Sequence, residues 1–103
     1  MNSPVLTGAQ KTKLRGLGQT SPDNLLVGRE GAGEKVTAQL NRELSSRELV
    51  KVRFTGGQDR HERAVLHDAL ASATNSECVG AVGHTALFFR QNPDPALQKI
   101  ALS

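Results

Sequence analysis

The chain has 103 residues, 37% of them hydrophobic and 22% charged, and thirteen Lys and Arg against ten Asp and Glu leave a net charge of +3. That suffices for one domain with one core and excludes a deep cleft between two domains. A single cysteine, Cys78, excludes an internal disulfide or a multi-cysteine zinc cage, and with no Trp, no Tyr and three Phe there is little aromatic surface for stacked bases.

Thr7 can cap a first helix that runs to about Gly18, with Leu14 and Leu17 as its apolar stripe and Lys11 and Arg15 on another face. A loop over 19–23 leads to a short apolar strand, Asn24 to Val27, closed by Gly28. Gly28-Arg29-Glu30-Gly31-Ala32-Gly33 follows, and Val36, Leu40 and Leu44 then recur every four residues from Glu34 to about Ser46, the period of an amphipathic helix. Leu49 to Phe54 alternates, placing Val50, Val52 and Phe54 on one strand face and Lys51 and Arg53 on the other. After a break at 55–59, the spacing of Val65, Leu66, Ala69, Leu70 and Ala73 predicts a third helix from about Arg60 to Ala73. Cys78 to Val82 and Thr85 to Arg90 read as a hairpin turning at Gly83-His84.

The order is α-β-α-β-α-β-β, an α/β fold in one domain over 1–103, with a core of about 5–91 and a tail over 92–103 whose packing is left open. Right-handed crossovers place the connecting helices mainly on one face of the sheet. The other face, carrying Lys51 and Arg53, is then expected to be open to solvent or a partner. No apolar run approaches the roughly 20 residues that span a bilayer, and no basic, then apolar, leader opens at Met1. With the lone cysteine, this points to the cytoplasm.

Chemistry-bearing patterns are sparse. The 28–33 segment is G-x-x-G-x-G, neither the dinucleotide G-x-G-x-x-G nor a loop ending in G-K-[ST], so no nucleotide cofactor is expected. Its G-x-x-G part reads first as a tight strand-to-helix turn, and second as a loop whose bare backbone N–H groups approach a phosphate, with Arg29 adding charge and Glu30 opposing it. Lys11, Lys13 and Arg15 on the first helix, Arg29 in the turn, and Lys51 and Arg53 on the second strand form a phosphate-binding footprint if folding brings them together. Arg42, Arg47, Arg60 and Arg63 alternate with Glu43, Glu48, Asp59 and Glu62 and are assigned to surface ion pairs. His61-Glu62 lacks the second histidine of a zinc-protease helix, His67-Asp68 point in different directions, Cys78 sits in an apolar strand, and His84 marks a turn. Nothing assembles a nucleophile, base and oxyanion site, so neither enzymatic activity nor a metal is expected.

Four segments together resemble a known family. Leu6 to Gln10, Gly28 to Gly31, Arg47 to Phe54 and Val82 to Arg90 are similar, in order and spacing, to the CRM domain (chloroplast RNA splicing and ribosome maturation), most closely its stand-alone bacterial YhbY-like form. The resemblance implies a four-stranded mixed sheet similar to the C-terminal domain of translation initiation factor three. It also implies an RNA-binding protein that associates with ribosomal RNA in large-subunit precursors, without cofactor, membrane or small-molecule substrate. The family's G-x-x-G loop falls on Gly28 and Gly31, its tip on Arg29 and Glu30, and its basic surface on Lys11, Lys13, Arg15, Lys51 and Arg53. The cap of the following helix, usually threonine in the family, is Gly33 here. A different class of function remains beside this one, a protein-interaction module that binds ribosomal proteins or assembly factors through the open sheet face.

Overall fold

Caps and tight turns set the element boundaries. In the computed structural model, which describes residues 6–102, the chain runs through α1 (Gly8–Gln19), β1 (Leu25–Val27), α2 (Glu34–Arg47), β2 (Leu49–Phe54), α3 (Arg60–Thr74), β3 (Glu77–Val82) and β4 (Thr85–Phe89), ending in a 3-10 turn at Pro95–Leu97. Residues 1–5 and 103, the ends of the 1–103 domain read from the sequence, lie outside the described residues. At the start of α1 the Thr7 hydroxyl accepts from the Gln10 N–H at 3.1 Å while the Gln10 side chain accepts from the Thr7 N–H at 2.9 Å. Asp59 and Glu62 close the same reciprocal box on α3, at 2.8 and 2.9 Å. α2 begins at Gly33, which has no side chain to offer and makes no such bond.

The sheet order is β1-β2-β4-β3, with β1 parallel to β2 and antiparallel pairing between β2 and β4 and between β4 and β3. α2 and α3 therefore each connect strands that run the same way, and both pack on one face, as two right-handed crossovers require. Val50, Val52 and Phe54 of β2 face them, in a core with Val27, Val36, Leu40, Leu44, Leu70, Ala86 and Phe88.

The opposite face is not open. α1 crosses it, and Leu14 joins Leu6, Val79 and Phe89 in a second core that Leu49, Leu87, Ile100 and Leu102 flank. The expectation of a bare face fails because β2 and β4 also carry Leu49, Leu87 and Phe89 on that side, an apolar strip that must be covered. The tail supplies part of the cover. Glu48 is buried with a left-handed backbone (φ 66°), and its carboxylate accepts the N–H groups of Asn92 at 2.6 Å, Lys99 at 2.7 Å and Ile100 at 3.0 Å. Glu48 is thus the anchor of the tail and not the partner of a surface arginine.

Two helix stripes differ from the sequence pattern. In α1 Leu14 is buried with Gly18, whereas Leu17 is 41% exposed, because the helix lies so close to β4 that a Cβ at Gly18 would sit 2.4 Å from Leu87 Cδ1. In α3 Val65 is 55% exposed and Ala69 and Ala73 face solvent, while Leu66, His67, Leu70 and Thr74 turn inward. Polar residues take part in that buried row: the Thr74 hydroxyl donates to the Leu70 carbonyl at 2.8 Å, and the His67 ring packs 5.2 Å from Phe54 and 6.4 Å from Phe88 with its buried Nε2 making no hydrogen bond among the described residues. An apolar-only stripe therefore selects a neighbouring row of the helix.

Burial lowers the pKa of His67, with Asp68 opposing and nearby Arg63 reinforcing the shift. The native state thus prefers the neutral ring, whereas the unfolded chain takes up a proton below about pH 6.5. The His67 contribution is complete above that pH and is lost as pH falls toward the lowered native value. The wild-type urea midpoint is expected to decline between pH 7 and 5.5, and His67→Leu to flatten that decline.

Candidate nucleic-acid interface

Val27 ends β1 with its carbonyl held by the Thr55 N–H at 2.7 Å, so the chain leaves the sheet beside the end of β2. Four residues then close a turn, the Gly31 N–H donating to the Gly28 carbonyl at 3.2 Å. Gly31 has φ +63°, where a side chain is strained, and a Cβ there would lie 3.0 Å from Leu66 Cδ2. The neighbouring 55–59 loop braces the turn from below. A Cβ on Gly56 would come within 2.6 Å of the Gly28 carbonyl group, and the Gln58 amide donates to that same oxygen at 2.9 Å.

The turn therefore has a rigid base and a free apex. Arg29 is exposed and makes no hydrogen bond or ion pair among the described residues. Glu30 folds back, its carboxylate accepting the Gly28 N–H at 3.4 Å and filling the space beside Gly28 that a side chain would occupy.

The strand cations lie on the α1 face. Arg53 stands beside Leu26, its register partner in β1 just below the turn, and its Nε is 2.7 Å from Asp23 Oδ2. Lys51 is bracketed by Asn24, whose side chain accepts the Lys51 N–H at 2.9 Å, and its Nζ reaches the Ser21 carbonyl at 3.3 Å. Arg15 bonds the Val79 carbonyl at 2.9 Å and the Thr12 hydroxyl at 3.0 Å. Arg15 and Lys51 line one groove between α1 and the sheet.

The remaining first-helix cations point elsewhere. Lys11 pairs with Glu77 at 3.0 Å, at the end of the sheet where β2 begins, roughly 13 Å of strand from Arg53. Lys13 donates to the Ala101 carbonyl of the tail. Folding thus places Arg15 and Lys51 together in one groove and Arg53 nearest the turn, while Lys11, one helical turn from Arg15, is taken by Glu77 and Lys13 by the tail.

Of the arginines assigned to ion pairs, Arg47 does meet Glu43, at 2.7 Å. Arg60 and Arg63 do not pair with Asp59 and Glu62, because those acids are consumed in the α3 capping box. Arg63 instead donates to the Gln58 carbonyl at 2.6 Å and lies 3.4 Å from His84 Nδ1, while Arg60 and His61 are exposed on the first turn of α3. Gln58 connects this group to the turn, so the cationic end includes α3 residues that charge alternation alone misassigned. The D-x-x-E spelling at 59–62 was the available signal. Elsewhere, burial pushes the Cys78 thiol pKa up and Sγ lies 3.7 Å from the Gly80 carbonyl, the environment of an unreactive thiol.

The turn, β2 and the hairpin all fall within residues 6–90, the span matched by the family model described as the CRS1 / YhbY (CRM) domain. The chain belongs to this family. A Pseudomonas aeruginosa relative named "Probable RNA-binding protein" is 36% identical over 91 residues, 88% of this CRM chain and 86% of that protein. A Haemophilus influenzae "RNA-binding protein" is 28% identical over 94 residues, covering 91% and 94% of the two chains. The solution structure of a hypothetical protein from Staphylococcus aureus superposes with a TM-score of 0.79 at 28% identity, covering 94% of the CRM chain and all of that one.

If contact between the two loops sets the turn of this CRM domain, Gly56→Ala should destabilise the protein by about 1–3 kcal/mol through overpacking against the Gly28 carbonyl. A lowered urea midpoint checks this, with Gly8→Ala, whose Cβ meets nothing within 4 Å, as the comparison.

Proposed function

We propose that this chain is a non-catalytic, cytoplasmic RNA-binding protein that associates with ribosomal RNA in large-subunit precursors and grips the RNA backbone through its G-x-x-G turn. The observation that carries this reading is the braced turn with Arg29 free at its apex. Backbone held by Gly56 and Gln58 does not have to be ordered again when a phosphate arrives, so the entropic cost of binding is reduced. The start of α2 lies directly behind the turn without a side-chain cap, and its N–H groups and dipole favour an anion there.

Arg53, Lys51 and Arg15 extend the cationic surface from the turn along the α1 face, and Arg60 and Arg63 extend it across the start of α3. All three phenylalanines are buried, so a backbone-led grip fits better than an aromatic stacking platform. The curated relatives named as RNA-binding proteins support the RNA class, and the likeness to ribosome-maturation domains supports the ribosomal destination. The rival protein-interaction reading loses its principal support with the open sheet face.

Arg29→Ala should weaken binding to pre-ribosomal RNA and reduce the slope of log affinity against log salt by roughly one unit. Glu30→Gln should act in the opposite sense, raising affinity several-fold at low salt, because a phosphate no longer competes with a carboxylate for the Gly28 N–H. Cross-linking in cells followed by sequencing of the attached RNA tests the destination. Enrichment of large-subunit precursor fragments is expected, and a spread over messenger RNA would reject it.

A further inference from the structure

On the α1 face of the sheet lies a groove of about 500 Å³ lined by α1, β2 and the β3–β4 hairpin. We infer that it seats a single unstacked nucleotide of a single-stranded RNA segment, the base on its apolar floor and a flanking phosphate against Arg15 and Lys51. This rests on the RNA reading above and specifies which form of RNA that surface takes.

The groove exists because glycines replace side chains where α1 meets the sheet. Gly80 leaves room that the Arg15 stem fills, a Cβ there lying 2.7 Å from Arg15 Cδ, and Gly16 has nothing within 4 Å of its Cβ position. Leu87 forms part of the floor, and Val82, 80% exposed, forms the rim toward the hairpin. The volume falls among those of small-molecule pockets, which suits one planar group and is too small for a docked helix.

Charge selects the occupant. The lining holds two cations and no carboxylate. Arg15 spends two of its donors on Val79 and Thr12, and Lys51 spends one on Ser21, so both keep N–H groups for a phosphate. Gln19 adds an amide to the lining, and the Thr85 hydroxyl, which donates to the Val82 carbonyl at 2.9 Å, keeps its lone pairs for a base N–H. An apolar floor under an anion-binding rim matches a nucleotide, and only an unpaired one, since bases in a duplex stay stacked away from such a groove.

Gly16→Leu tests this by filling the groove from the helix side. Leucine is a better helix former than glycine, so the melting temperature should hold or rise. Val82→Glu is the second variant, placing a negative charge on the exposed rim without entering either core. Fluorescence anisotropy with a labelled single-stranded oligoadenylate and with a blunt RNA duplex should show both variants losing about tenfold in affinity for the oligoadenylate while duplex binding is unchanged. Arg29→Ala should weaken both RNAs. Unaltered oligoadenylate binding in Gly16→Leu and Val82→Glu, or equal losses for the two RNAs, overturns the groove assignment while a loss in Arg29→Ala still upholds RNA binding. A wild-type chain that binds neither RNA overturns both.

Discussion

The pleat of β2 is the constraint on which the rest of this structure depends. The strand is central, hydrogen-bonded to β1 on one side and β4 on the other, so its register places every other element. Its inward residues, Val50, Val52 and Phe54, commit one face to α2 and α3. Its outward residues, Leu49, Lys51 and Arg53, grade from apolar to cationic along six positions. The apolar end is covered by α1 and the tail, and the cationic end is left beside the turn. A one-residue slip would bury both cations and expose Val52 and Phe54, which makes the placement of charge inseparable from the burial of the core.

Close backbone approach is the second organising feature. Gly56 lies against the Gly28 carbonyl, Gly18 admits Leu87, and Gly80 admits the stem of Arg15. The first contact holds the turn upright. The other two let α1 settle onto the sheet and leave a groove at its side. Rigidity and access are thus obtained from the same residue type, because a missing Cβ allows contact in one place and a void in another.

Buried polar groups complete the core on terms that hydrogen bonding allows. Glu48 collects three tail N–H groups and fixes residues 92–100 to the domain, which brings Ile100 and Leu102 onto the α1 face. Arg90 ties the Asn41 carbonyl and Ser45 hydroxyl of α2 to the Thr74 carbonyl at the end of α3, at 2.7–3.0 Å. Burial lowers the Arg90 pKa, and these partners offset the desolvation of its charge. His67 is the exception, a ring held by packing against two phenylalanines while its buried Nε2 makes no hydrogen bond among the described residues.

The sequence by itself determined the element order, the two faces of β2 and the position of the G-x-x-G turn, while the four-stranded mixed sheet came from the resemblance to the CRM family. The first three follow from local signals: periodicity of 2 or 3.6, capping residues, and glycines at chain reversals. Only the tertiary structure decided that α1 covers the second sheet face, that α3 turns His67 and Thr74 inward, and that Lys11 is taken by Glu77 and Lys13 by the tail while Arg15 and Lys51 share a groove. Charge carries no periodic signature, and whether a cation is free or paired depends on acids far along the chain, as with Lys11 and Glu77 or Arg53 and Asp23. The candidate cations were therefore legible one by one in the sequence, while which of them stand together waited on the packing that sets which side chains meet.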